Sequence, residues 1–266
     1  MGALKELRGA PVEQLLEAFA KTVPPGGVPP GLGVAVDGWV VPESPAEIFA
    51  SGRQLPADLI IGVNSREFGG PPEAADVKKD IESNYGKLAE RALPLYGLTI
   101  SANGAVQHGA PHPLYGNVSA QWATDMTFRC PAVVVADWNS KAGHPTYQFQ
   151  FDRAAPGHED AGAVHASEVV YVFGNLDEQR PARPNYQAAD YAISSAMQEY
   201  WTNFAKTGGP DGNGLPAWPP YQPDTKRYLE FTDSGPVAGS NLRRAQCEVF
   251  AEALQQQAEK VANTHH

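Results

Sequence analysis

The stretch Asp58-Leu59-Ile60-Ile61-Gly62-Val63-Asn64-Ser65-Arg66-Glu67 decides the fold class. Leu59 to Val63 is apolar without interruption and bounded by turn-forming residues, the pattern of a strand buried on both faces of a mostly parallel sheet, here over Asp58–Val63. Glu67 stands just beyond its C-terminal end. A second strand is expected at Thr146-Tyr147-Gln148-Phe149-Gln150-Phe151-Asp152, where aromatic and polar residues alternate. It leads into a long Gly/His/Asp/Ala loop ending at Val164-His165, so a second chemically competent side chain also lies past a strand end. Tyr228-Leu229-Glu230-Phe231 is a third, shorter strand.

Helices are expected between and around these strands. Glu73 to Leu93 follows a helical pattern broken at Pro94, and Tyr115 to Ser140 gives two helices separated at Pro131. Ala188 to Lys206 is amphipathic, with Ile193, Met197, Tyr200, Trp201 and Phe204 at helical spacing and a stop at Gly208-Gly209-Pro210. Asn241 to Val261 is the last helix. Near the start, Pro11 to Thr22 forms a short helix with Pro11 at its first position, followed by a Pro/Gly-rich link from Val23 to Gly33. Val34 to Val41 contains a hairpin or bend around Asp37-Gly38. No internal repeat is visible. The aromatics Trp201, Phe204, Trp218 and Tyr221 are core residues rather than substrate contacts.

Composition bounds what these elements can do. The 266 residues, 42% hydrophobic and 19% charged, are enough for one large core or two modest ones, and the 24 prolines and 26 glycines, without period, mark a loop-rich globular chain. A net charge of -10 with no basic run argues against nucleic acid as a partner. No apolar run approaches the ~18 residues that span a bilayer, and Met1 to Arg8 does not have the form of a signal peptide. A metal site is not expected: His108 and His112 are separated by Gly and Pro, His144 and His158 are isolated, and His265-His266 is a terminal tail. No cofactor motif is present. Asn117-Val118-Ser119 matches the glycosylation acceptor pattern, which is too short to bear on function.

Four segments in order carry a resemblance to a known family. They are Ile61-Gly62-Val63-Asn64-Ser65-Arg66-Glu67-Phe68-Gly69; His165-Ala166-Ser167-Glu168-Val169-Val170-Tyr171-Val172-Phe173-Gly174; Tyr200 to Gly208 with Gly214 to Tyr221; and the pair Cys130 and Cys247. Together they resemble the C-terminal half of the type B carboxylesterases, the cholinesterase-like branch of the α/β hydrolases. The resemblance implies that residues 1–266 are the C-terminal part of one such domain, with an incomplete, mostly parallel sheet and cover helices. It implies that Glu67 is the acid and His165 the base of a serine hydrolase triad, that Glu168 supports them, and that Cys130 and Cys247 form a disulfide. An oxidising compartment, secreted or periplasmic, follows for the parent protein. Ala166 departs from the pattern, because the family usually has Gly there.

The chemistry of these residue types is independent of the family. In ester hydrolysis by a serine, a neutral histidine takes the proton of the attacking hydroxyl and returns it to the leaving alcohol, while a buried carboxylate fixes its tautomer. In α/β hydrolases the order along the chain is serine, acid, histidine, and Glu67 followed by His165 supplies the last two. The G-x-S-x-G elbow that exposes the nucleophile is missing: Ser51, Ser65, Ser119 and Ser167 lack its glycines. The expected protein is a carboxylic ester hydrolase for small-molecule esters whose nucleophile and oxyanion hole come from an N-terminal half. The alternative is a cholinesterase-like interaction module without chemistry. Loss of the central nucleophile strand should leave Leu59 to Val63 or a neighbour as an exposed apolar edge.

Overall fold

The structure, a computed structural model, describes residues 2–22, 34–178, 184–212 and 214–264. The expected link Val23–Gly33 and the terminal His265-His266 lie outside the described residues. Two compact units are present, Met1–Ile48 and Phe49–His266. In the first, α1 is Gly2–Gly9 and α2 is Val12–Ala20, with Pro11 as the cap one position before the helix rather than inside it. Val34–Val41 forms the bend and not the hairpin: Asp37 Oδ1 accepts from the backbone N–H groups of Trp39, Val40 and Val41, and no strand pair develops. α3, Pro45–Ala50, runs across the division.

The second unit continues with β1 (Leu59–Asn64), α4 (Ala74–Tyr85), α5 (Ala89–Leu95), β2 (Leu98–Ile100), β3 (Val106–His108), α6 (Val118–Thr124), α7 (Cys130–Lys141) and β4 (Thr146–Phe151). It ends with α8 (Val169–Val172), α9 (Ala188–Thr207), β5 (Arg227–Thr232), β6 (Gly235–Ser240) and α10 (Arg244–Thr264). The main sheet has the order β1-β4-β5-β6. β1/β4 and β4/β5 are parallel, and β5/β6 closes the sheet with an antiparallel hairpin. The fold is therefore α/β with a mostly parallel sheet.

One core cluster joins α9 to β4 and β5 through Tyr200, Met197, Trp218, Phe151 and Phe231. Trp218 is fully buried and its indole N–H donates to the Gln148 carbonyl at 3.0 Å, so Trp218 is a core residue, as expected of it. A second cluster joins α4, α5, α7 and α10 through Ile81, Ala92, Val134 and Phe250. Within it, Cys130 and Cys247 form a disulfide across a separation of 117 residues. On the loop-entropy model a closure of that length stabilises by about 4 to 5 kcal/mol.

Three helix boundaries differ from the sequence reading, each for a local reason. The helix expected over Glu73–Leu93 is interrupted at Gly86, which has φ 54°, before α5 begins, and α5 then tolerates Pro94 near its end. The two helices expected to part at Pro131 instead run on from Val118 to Lys141 without a break in helical backbone, joined by a single π turn at Asp125–Arg129 that lies directly ahead of Pro131, where the ladder is already disturbed. The last helix starts at Arg244, because Asn241 and Arg243 both take positive φ. The strands β2, β3 and β6 add to the three expected from the sequence.

β1 pairs with β4 on one side, and no described residue pairs with its other side. Leu59 to Gly62 are half-buried and Val63 is buried, so the edge expected from the sequence is present but only partly exposed. Gly62 is required by packing: a Cβ there would lie 2.2 Å from the ring of Phe149 on β4.

A carboxyl pair lies where β4 and β5 end. Gln150 Nε2 donates to Asp152 Oδ1 and to Glu230 Oε1, each at 3.0 Å. Burial and a shared hydrogen bond with Glu230 push the Asp152 carboxyl up to about 8. Since this folded-state value exceeds the ~3.9 of an unfolded chain, the contribution to stability is full below about pH 4 and is lost as pH rises toward 8. Urea unfolding at pH 5, 6.5 and 8 will show wild type losing stability relative to Asp152→Asn as pH increases. Parallel profiles for the two chains would show that the proton is not held in the fold.

Candidate active site

The parallel register brings Asn64 opposite Phe151, so the two chains leave the sheet at the same level. A run of backbone hydrogen bonds then zips the turn after β1 to the loop after β4: Ser65 N to Phe151 O at 2.9 Å, Arg66 N to Ala163 O at 3.0 Å, and His165 N to Glu67 O at 3.1 Å. The guanidinium of Arg66 fastens the surroundings by donating to the carbonyls of Leu114 at 2.8 Å, Asp160 at 2.7 Å and Pro113. None of these bonds needs the side chains of Glu67 or His165, so the scaffold sets their separation.

Glu67 and His165, 98 residues apart, meet side chain to side chain: Glu67 Oε2 lies 2.7 Å from His165 Nδ1. The other oxygen, Oε1, accepts the backbone N–H of Asn64 at 2.8 Å, and the backbone N–H of Glu67 donates to Thr124 Oγ1 at 3.0 Å. The carboxylate is nearly inaccessible while the imidazole is half exposed. A buried acceptor on Nδ1 selects the tautomer that carries its proton there, which leaves Nε2 as the basic atom. Nε2 has no partner among the described residues. The rings of Phe68 and Phe128 pack on the imidazole at centroid distances of 4.7 and 5.1 Å and on each other at 5.3 Å.

Glu168 is linked to the pair through Asn64, whose Nδ2 donates to Glu168 Oε2 at 2.5 Å. Asn64, Thr124, Phe68 and Phe128 were not singled out in the sequence. Asn64 carries a usable signal, since it ends the apolar strand three residues before Glu67; Thr124, at the end of α6, and Phe128, in the π turn that follows, carry none. An open cavity of about 380 Å³ adjoins the acid, lined in part by Glu67, Phe68, Asn117, Asp160 and Val164. His112 belongs to a tight turn, where its Nδ1 accepts from the N–H groups of Leu114 and Tyr115 at 3.1 and 3.2 Å. Among the described residues no group of three or more His, Cys, Asp or Glu could hold a metal ion.

Beneath the pair, Arg129 from the π turn is fully buried and donates to the carbonyl of Ser65 at 2.8 Å and to Gln150 Oε1 at 3.2 Å. Its charge is met by Asp125, whose second oxygen accepts from Arg243 at 2.9 and 3.1 Å. The ring of Tyr115 lies against both guanidinium groups, at 4.7 and 4.9 Å.

Comparison with known proteins gives one consistent answer. The model of the Carboxylesterase family matches residues 3–250. Human cocaine esterase is 28% identical over 272 residues, covering 96% of this chain and 46% of that protein. The medium-chain fatty acyl-CoA hydrolase precursor of Anas platyrhynchos is also 28% identical, covering 96% and 47%. Among solved structures, a PNB esterase superposes with a TM-score of 0.70 at 25% identity, over 92% of this chain and 50% of that one. The chain thus spans about half the length of the relatives it matches.

The backbone at Ala166 takes a conformation that favours glycine, so the alanine of the histidine segment carries a cost. Its φ is 62°, in the left-handed region that costs a residue with a Cβ roughly 1 to 2 kcal/mol. Ala166→Gly is expected to raise the unfolding free energy by about 1 kcal/mol, after the greater freedom of glycine in the unfolded chain is set against the relieved strain. Denaturant melts of the two chains measure this, and an unchanged or lowered midpoint would show that the strain is not there.

Proposed function

Since this chain belongs to the carboxylesterase family and has a partial α/β-hydrolase fold, we propose that it supplies the acid and the base of a carboxylic ester hydrolase acting on small-molecule esters. The nucleophile and oxyanion hole come from polypeptide outside these 266 residues. The observation that carries the proposal is the contact of 2.7 Å between a buried carboxylate and a half-exposed imidazole on the segments that follow two adjacent strands. Support for an external nucleophile comes from the sequence, which has no G-x-S-x-G, and from the 46% share of human cocaine esterase that the chain covers.

In this reading His165 Nε2 accepts the proton of a serine hydroxyl as that oxygen attacks the ester carbonyl. The imidazolium so formed is stabilised by Glu67, which keeps its negative charge throughout. The same Nε2–H then protonates the departing alcohol, and the cycle repeats with water to release the acid. Asn64 N–H and the bond from Glu67 N to Thr124 hold the carboxylate so that the histidine reorganises little during transfer. The disulfide fits folding in an oxidising compartment, and no described helix is long and apolar enough to cross a membrane.

The 266-residue chain is expected to hydrolyse short p-nitrophenyl esters no faster than its His165→Ala variant. Joined to the nucleophile-bearing half of a carboxylesterase it should gain activity, and Glu67→Gln or His165→Ala in that assembly should lower kcat by roughly 10³ to 10⁴. Activity of the assembly that survives both substitutions would remove the proposal.

A further inference from the structure

We infer that Asn64 is the positioning residue of the Glu67–His165 pair, an assignment that rests on the acid and base reading above. Asn64 ends β1 and is 1% exposed. Its backbone N–H holds Glu67 Oε1 at 2.8 Å, the oxygen not used by the histidine. Its side-chain nitrogen spends both protons on the histidine loop, donating to Val164 O at 2.8 Å and to Glu168 Oε2 at 2.5 Å. One residue therefore fixes the carboxylate, the residue before the imidazole and the carboxylate that follows it.

The choice of a carboxamide has a physical reason. Both partners are acceptors, so the bridge needs two protons on one atom. A cationic side chain would also provide them but would put a charge beside Glu67 and compete with the imidazolium for it. A hydroxyl has only one proton to give. The orientation of the amide is settled by the same partners, because the flipped form would turn its oxygen toward a carbonyl and a carboxylate. The consequence is visible in the other half of the group: Asn64 Oδ1 is buried with no hydrogen-bond partner among the described residues. An amide placed only to fill space would have found a partner for its oxygen, whereas this one is oriented by what its nitrogen must hold.

The bridge also bears on strain. Ala166, inside the clamped segment, is held at φ 62°, and the loop that carries the exposed imidazole is tied at Val164 and Glu168 on either side of it. Releasing both ties lets the loop relax and the ring turn away from Glu67.

Long-range ¹H–¹⁵N NMR on the full chain with ¹⁵N-labelled histidine reads this directly, the His165 signals being assigned by their loss in His165→Gln. Wild type is expected to show the Nδ1–H tautomer, and Glu67→Gln to lose it. In Asn64→Ala, with the disulfide formed and a cooperative melt retained, the population should shift toward the Nε2–H tautomer. Asn64→Asp, which faces Val164 O and the Glu168 carboxylate with an acceptor, should shift it as well. Adding Glu168→Gln to Asn64→Asp restores the tie to residue 168 with donor and acceptor reversed, while Val164 O still faces an acceptor, so the wild-type tautomer should be recovered in part. Wild-type spectra from Asn64→Ala or Asn64→Asp would overturn the positioning role. Should Asn64→Ala not fold, the absence of recovery in the double variant overturns it. A wild-type spectrum unaffected by Glu67→Gln would instead overturn the acid and base reading and leave the bridge as a structural contact.

Discussion

The parallel pairing of β1 with β4 is the constraint on which the candidate site depends. Once Asn64 lies opposite Phe151, Glu67 and the loop after β4 begin from neighbouring points on the same sheet end. Backbone bonds from Ser65, Arg66 and His165 then carry the zipper past the sheet to the imidazole itself. A shift of this register by one residue would turn Val63 and Asn64 each to the face opposite its present one and separate Glu67 from His165. The close approach of Phe149 to Gly62 helps to fix that register, since the ring fits only where there is no Cβ.

Charge buried below the sheet end holds the supporting helices. Arg129 is expensive to bury, and its hydrogen bonds to Ser65 O, Gln150 and Asp125 compensate it only while all are in place. Asp125 is shared with Arg243, just before α10, so the π turn, the start of the last helix and the turn that carries the acid form one connected polar unit. The disulfide ties the start of α7, directly after the π turn, to α10. Covalent and electrostatic links thus act on the same junction.

The strands were legible because their signals are local. Leu59–Asn64, Thr146–Phe151 and Arg227–Thr232 fall within about a residue or two of where apolar runs and alternation put them, and α9 agrees at both ends within a residue. Glu67 and His165 were legible for a different reason: the resemblance named them, while spacing alone could say only that each follows a strand. What the sequence hid are features decided by tertiary contacts. The π turn at Asp125–Arg129 exists because Arg129 must reach Ser65 and Gln150 from inside a helix, and no periodicity announces that demand. The β2–β3 hairpin is three residues a side and too short for an alternating pattern. Asn64 reads as the polar end of a strand until the histidine loop is seen folded over it.

The central claim is that these residues provide acid and base but not the nucleophile. Mass spectrometry after treatment with a fluorophosphonate ester tests it most directly, on the chain alone and on the chain assembled with a nucleophile-bearing half. The account predicts no phosphonyl adduct on any serine of the 266 residues in either state, and an adduct on the other half that depends on His165. Stoichiometric labelling of a serine within this chain, Ser65 or Ser167 being the nearest in sequence to the pair, would contradict it.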